Sequence, residues 1–216
     1  MSVEDQNRAM QIAKTPETAL ARLLRGNARY VAGENLNEHK DPSRRTELAG
    51  QQNPFAQVFG CADSRVPAEV VFDQGLGDLF VIRNAGHIVD SSVLGSIEFG
   101  IEALKIPLTL VLGHTSCGAV GATITAIDTH STPSGYLRDV VERISPAVFE
   151  ARRDPDAGYE DVVAENVRHT VTAIRQKSAA VDRAINEGRT AIVGAIYNLE
   201  EGTVTPVHTE GTVTGG

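Results

Sequence analysis

Apolar positions along the chain fall into two rhythms. Residues 55–60, 79–83 and 108–113 are near-continuously apolar runs of strand length. This is the pattern of parallel strands buried on both faces. Between the second and third runs, Val93, Leu94, Ile97, Ile101 and Leu104 recur at helical spacing over 91–104, so a strand–helix–strand unit is predicted. Val163, Val167, Val171, Ile174, Val181 and Ile185 predict one long helix over 159–187, stopped by Gly188. Residues 190–197 supply another strand, and a turn at Glu201-Gly202 leads to a final edge strand over 203–208. At the other end, Thr15 caps and Pro16 opens an amphipathic helix through Ala19, Leu20, Leu23, Leu24, Ala28 and Tyr30 to about Gly33. Residues 34–54 are polar and Pro-punctuated, with one short helix around 45–48, and the first fourteen residues are expected to form a helical arm. The pattern predicts an α/β fold whose central, mainly parallel sheet is flanked by helices, with an N-terminal helical arm and a C-terminal edge strand. One domain spans 1–216, comprising the arm over 1–34 and an α/β core over 55–200.

Composition adds exclusions. The 216 residues are 41% hydrophobic and 22% charged, ordinary values for a globular chain. A net charge of −8 with no basic block argues against nucleic acid or an anionic membrane as partner. No apolar run approaches the ~18 residues of a bilayer span, and the first residues lack the basic and apolar segments of a secretory signal. Two cysteines cannot make a disulfide framework, so a reducing cytoplasm is the expected location.

Both cysteines close apolar runs. Cys61-Ala62-Asp63-Ser64-Arg65 follows the first run, and His114-Thr115-Ser116-Cys117 follows the third. Ligand sites of open α/β sheets lie at the carboxyl ends of strands. Neighbouring parallel strands would therefore bring two thiols, one imidazole and one carboxylate together, a tetrahedral Zn²⁺ ligand set. Asp63 has two possible partners: it fills the fourth zinc position, or it pairs with Arg65 through a bidentate guanidinium–carboxylate contact. In the first state the site looks structural; in the second, one position is open to water and Asp63 can orient it.

The paired Cys-x-Asp-x-Arg and His-x-x-Cys clusters, followed by Gly118, resemble the signature of the β-class carbonic anhydrases. The resemblance runs from about Thr18 to Ile196 and includes Gly50-Gln51-Gln52-Asn53-Pro54, the stretch from Phe80 to Gly86, and Gly95-Ser96-Ile97-Glu98. It implies reversible hydration of CO₂ to bicarbonate and a proton by zinc-hydroxide attack. One Zn²⁺ per chain would be held by Cys61, His114 and Cys117, with Asp63 a ligand only in a closed state and the Asp63–Arg65 dyad catalytic. It further implies Gln52 as a polar substrate contact, Phe80 and Phe99 as apolar walls, Gly118 as a backbone donor, and a homodimer or dimer of dimers. Where plant-like members carry Tyr after the Glu of the Ser-Ile-Glu stretch, this chain has Phe99, so the wall remains without the phenolic hydrogen bond. The subclass inhibited by bicarbonate at a second site carries Trp three residues before the first Cys; Val58 stands here, although Arg83 matches that pocket's Arg. Active-site properties nearer the plant-like subclass are expected.

Blander readings stand beside these. The same site could act on CS₂ or COS, or the zinc could be structural in a thiol-based redox protein. A pair of Asp63 with Arg65 could be an ordinary surface salt bridge, and Gly75-Leu76-Gly77 is a plain turn. His87 is either a proton relay or a structurally hydrogen-bonded loop residue. His39, His130, His169 and His208 are expected to be solvated, and Arg25, Arg29, Arg152 and Arg153 to be exposed charges.

Overall fold

A computed structural model describes residues 13–213. The arm expected at the start of the chain lies, over 1–12, outside the described residues. The elements are α1 (Pro16–Ala32), α2 (Pro42–Leu48), β1 (Ala56–Cys61), α3 (Ala68–Val71), β2 (Leu79–Asn84), a 3₁₀ turn (Ala85–His87), α4 (Ser91–Glu102), β3 (Leu108–His114), α5 (Gly118–Asp128), α6 (Leu137–Ala151), α7 (Tyr159–Lys177), α8 (Ala179–Asn186), β4 (Ala191–Tyr197) and β5 (Val204–Glu210). The sheet order is β2-β1-β3-β4-β5, with β5 antiparallel to β4 and every other pair parallel. The expected mainly parallel sheet with a C-terminal edge strand is therefore present.

The first and third apolar runs, β1 and β3, are buried throughout, with side chains leaving both faces into apolar surroundings, whereas the second, β2, is only partly buried because it lies at the sheet edge. Leu108, Leu110 and Leu112 point with Ala56, Val58 and Val193 toward α1 and α3, where Leu23, Val71 and Phe72 meet them. Phe59, Val111 and Ile192 face the other way, onto Ile97 and Ile101 of α4, Val167, Val171 and Ile174 of α7, and Val181 and Ile185 of α8. A third cluster closes the carboxyl ends of the strands and contains Cys61 and Cys117 with Val120, Ile144, Val148, Val162 and Val163. The order 2-1-3 matters for function. After β1 the chain turns to one side for β2, and β3 lies on the other, so a crevice opens between the ends of β1 and β3.

Helix α1 is fastened to its own sheet rather than standing off it. Asn27, buried, donates to the carbonyls of Val71 at 3.2 Å and Gly202 at 2.8 Å and accepts from the Val204 amide at 2.9 Å. Its start matches the sequence reading: Thr15 caps it with a reciprocal Thr18 contact, and Pro16 opens it.

Three readings are corrected. The single helix predicted over 159–187 is two, because Ser178 adopts an extended conformation and caps α8 through Val181 N at 3.1 Å. Arg29 is not a free surface charge: its Nε lies 2.7 Å from Asp73, whose carboxylate is fully buried. His39 is not simply solvated, since its Nδ1 stands 2.8 Å from Asp78, which also receives Arg22.

Candidate metal centre

Cys61 ends β1, His114 ends β3, and Cys117 is the N-cap of α5, so the topology itself brings them to the crevice. Their Sγ, imidazole nitrogen and Sγ atoms all lie within 4.8 Å of one another, and all three residues are buried. Donors each about 2.0–2.3 Å from one Zn²⁺ stand on this scale. Among the described residues this is the one such group.

The donor set fits a metal on an independent observation. His114 is 0% exposed, its Nδ1 is 2.9 Å from the Thr115 carbonyl, and its Nε2 has no hydrogen-bond partner. With Nδ1–H donating to that carbonyl, Nε2 carries a free lone pair directed into the cluster, as a metal-ligating imidazole does. The thiols show the complementary imbalance. The hydrogen bond with Cys117 draws the Cys61 thiol far below its ordinary value, and the same contact, with burial, pushes Cys117 up. A dication between them would favour ionisation of both thiols. Burial alone would lower the His114 pKa, yet the Cys61 contact, the Thr115 carbonyl and Asp63 raise it, so the pocket attracts positive charge.

Several contacts hold the ligand-bearing loops. Arg83 on β2 donates through Nε to the Cys61 carbonyl at 3.0 Å and through Nη2 to the Asp63 carbonyl at 2.6 Å. The Gly86 amide points at Cys61 Sγ at 3.4 Å. On the other loop, Thr115 N donates to Tyr197 O at 3.0 Å, Ser116 N to Glu160 at 3.1 Å, and Tyr159 Oη to the Cys117 carbonyl. Ser116 sits at φ 54°, a left-handed turn that lets Cys117 fold back beside His114. Helix α5 then presents its first amides to the Cys117 thiol, which favours thiolate.

Of the two partners open to Asp63, the structure has Arg65. Arg65 Nε donates to Oδ1 at 2.9 Å, Nη2 to Oδ2 at 2.7 Å, and the Arg65 amide to Oδ1 at 2.9 Å. The guanidinium holds the carboxyl well below the usual range, so it is ionised. Asp63 Oδ2 is still only 3.8 Å from His114 Nε2 and so borders the cluster.

Against this geometry, a family model described as carbonic anhydrase matches residues 56–204. The chain is 47% identical over 189 residues to the carbonic anhydrase of Mycolicibacterium smegmatis, covering 88% of this chain and 92% of that one. It is 48% identical over 187 residues to carbonic anhydrase 2 of Mycobacterium tuberculosis, covering 87% and 90%. The β-carbonic anhydrase CcaA shares the fold, with a TM-score of 0.71 over 90% of this chain and 92% of that one at 23% identity. The Coccomyxa β-carbonic anhydrase, solved with acetazolamide, has a TM-score of 0.68 at 27% identity, covering 77% and 78%. The chain belongs to the β-class carbonic anhydrase family.

Not every residue expected of a β-class site converges in one copy of the chain. Gly118 does: it opens α5 next to Cys117, with open space where a Cβ would stand. Phe80 does not. It pairs in register with Gln57, four residues before the Cys61–Asn84 pair, hence about 13 Å along the strand from the cluster. Phe99 stacks on Phe80 at 6.2 Å between ring centroids and is 50% exposed. Gln52, exposed, precedes β1 at that same far end. His87, a candidate relay, is 1% exposed, bonded to Thr170 and Asn166, and held down to about 4 by burial. A neutral, enclosed imidazole is the structural alternative of the two. The sequence pattern gives no site role to Gly86, Tyr159 or Asn166 and points Arg83 to a different pocket, because their roles depend on contacts between residues distant in sequence.

Proposed function

We propose that this β-class protein catalyses the reversible hydration of CO₂ to bicarbonate and a proton on a Zn²⁺ held by Cys61, His114 and Cys117. The observation that carries this is the three-donor cluster whose adjacent carboxylate is already fastened elsewhere, to Arg65. A structural site would use Asp63 as fourth ligand; the bidentate Arg65 contact favours an open fourth position. Zn²⁺ bound there supplies the Lewis acidity by which water becomes a nucleophile near neutral pH.

The remaining work falls to the chain. Asp63, ionised and fixed in orientation by three hydrogen bonds, accepts a hydrogen bond from the attacking water at Oδ2 and directs its lone pair toward CO₂. The open space at Gly118 leaves room for substrate, and its amide at the start of α5 is the backbone donor for a developing oxyanion. Apolar walls come from Phe80 and Phe99, with Gln52 as a polar contact. These lie at the wrong end of the sheet for their own cluster, so they serve the cluster of a second copy in a homodimer or dimer of dimers. The half-exposed edge strand β2 and the exposed Phe99 support that arrangement. The released proton goes to buffer, since His87 is neutral and enclosed.

The unit is read as one domain over 1–216 with a plant-like active site. Val58 is buried where the bicarbonate-inhibited subclass has Trp, and Arg83 is engaged with the Cys61 and Asp63 carbonyls. Two unpaired thiols needed as ligands fit a reducing compartment such as the cytoplasm, and among the described residues no helix is long and apolar enough to cross a membrane. Stopped-flow CO₂ hydration by zinc-replete protein tests the reading. Catalysis well above background is expected; a background rate with one zinc per chain would overturn it.

A further inference from the structure

Gly86 links the cluster to the deep core. Its N–H points at Cys61 Sγ at 3.4 Å, and its carbonyl accepts from Asn166 Nδ2 at 3.2 Å. Asn166 lies on α7 and is 3% exposed, among Val162, Val163 and Val167. A primary amide in such surroundings is costly unless bonded. Its other contact is His87 Nε2 at 3.4 Å, while His87 Nδ1 stands 3.3 Å from Thr170 Oγ1. Because the amide nitrogen only donates, Nε2 is the acceptor and the ring proton sits on Nδ1. Burial keeps His87 neutral, so this scaffold does not change with pH near neutrality.

Gly86 itself has no freedom to be another residue. It adopts φ 67°, and a Cβ would come 2.7 Å from Ile144 Cδ1 and 2.9 Å from Ala119 Cβ. The peptide plane before Gly86 carries the N–H and the plane after it carries the carbonyl; packing fixes the Gly86 torsions that join them, and Asn166 holds the second plane.

We propose that Asn166 is a positioning residue for the metal centre: by holding the Gly86 carbonyl, it fixes, through the packed Gly86 backbone, the direction of the preceding peptide's N–H toward Cys61 Sγ and so sets the position and donor strength of one thiolate. This rests on the reading of Cys61 as a zinc ligand. An N–H···S bond withdraws charge from sulfur and steadies it, the way outer contacts orient and tune metal ligands.

The test compares the intact protein with Asn166→Leu and Thr170→Val, each loaded with Zn²⁺ or Co²⁺. In Asn166→Leu, zinc affinity by chelator competition is expected to fall about 10–100-fold, and the sulfur-to-cobalt charge-transfer bands to move to lower energy. Thr170→Val loosens His87 but leaves the Gly86 carbonyl contact, so both readouts should stay with the unmodified protein. A folded Asn166→Leu with unshifted bands and unchanged affinity overturns the proposal. Should that variant not fold, the unmodified protein loaded with ¹¹³Cd decides. Scalar coupling between the metal and the Gly86 amide proton supports the proposal, and its absence refutes it. Failure of the unmodified protein to take up metal would overturn the zinc reading and this inference together, whereas normal uptake with an unaltered variant overturns this inference alone.

Discussion

The two ends of the parallel sheet are built to different degrees of completeness. At the carboxyl ends, between β1 and β3, Cys61, His114, Cys117, Asp63 and Arg65 converge in a single copy, and the loop carbonyls of Cys61, Asp63 and Cys117 and the amides of Ala62, Thr115 and Ser116 have partners from distant segments. At the amino ends, Phe80 and Phe99 stack on each other, Phe99 half in solvent, with exposed Gln52 on the segment leading into β1. One end holds chemistry that is organised from within. The other presents an apolar face along the edge strand β2, which no part of the described chain covers. In the proposed enzyme a second copy joins the two, the far end of one subunit walling the cluster of the other. Experiments on the two ends should therefore separate metal binding from substrate handling.

The largest effect is expected at the carboxyl end. Cys61→Ser or Cys117→Ser removes a thiolate donor, so zinc content measured by atomic emission should collapse and CO₂ hydration fall to background. Zinc retained at one per chain would show that the ligand set lies elsewhere. Next is Asp63→Ala. It should leave zinc in place yet lower kcat/KM by about 10²–10⁴-fold, the range for a lost proton-handling side chain. Loss of zinc together with activity would instead make Asp63 a structural ligand.

The amino end predicts the converse split. Phe99→Asp puts a charge into the proposed contact between copies and should weaken association by at least about 2 kcal/mol, as loss of a central aromatic anchor does. Light scattering should show a shift toward monomer, with zinc content unchanged and kcat/KM reduced. A variant that stays oligomeric and fully active would place the substrate walls within one chain.

How much of this was legible beforehand follows from the range of the interactions. The strands and the two short polar clusters were readable because their signals are local: continuous apolar runs, then ligand residues two or three apart. The break at Ser178 was not, because Ile174 and Val181 are a heptad apart, so the apolar stripe passes unbroken from α7 to α8. What breaks the helix is the Ser178 side chain, which caps α8 and reaches Glu98 of α4 at 2.5 Å, across the fold. Helices α5 and α6 carry weaker local signals, for different reasons. Gly118-Ala-Val-Gly-Ala-Thr interleaves Ala with glycines and β-branched residues that lower its helix propensity, and Pro146 sits inside α6. Both helices are held by packing on one another over the cluster at Val120, Ile144 and Val148. The residues that brace the site, Arg83, Gly86, Tyr159 and Asn166, act through backbone groups that no sequence spacing reveals.

The smallest expected effect concerns the enclosed imidazole that underlies the complete end. Burial lowers the His87 pKa from 6.5 to about 4. A histidine held neutral by the fold stabilises it fully above its unfolded pKa. That contribution fades as pH falls from about 6.5 toward 4, because the unfolded chain binds the proton first. Between about pH 7 and pH 5 the loss should be about 1–2 kcal/mol. In His87→Gln the amide can keep a contact to Asn166 without titrating, so urea-unfolding stability should be flatter across that window. Acidification also protonates the thiolates and releases metal, but it does so in both proteins, so the difference between the two curves isolates His87. Parallel curves would mean that His87 takes up a proton in the folded state without penalty. The ring would then be reached by water, and its exclusion as a relay would fail with the same measurement.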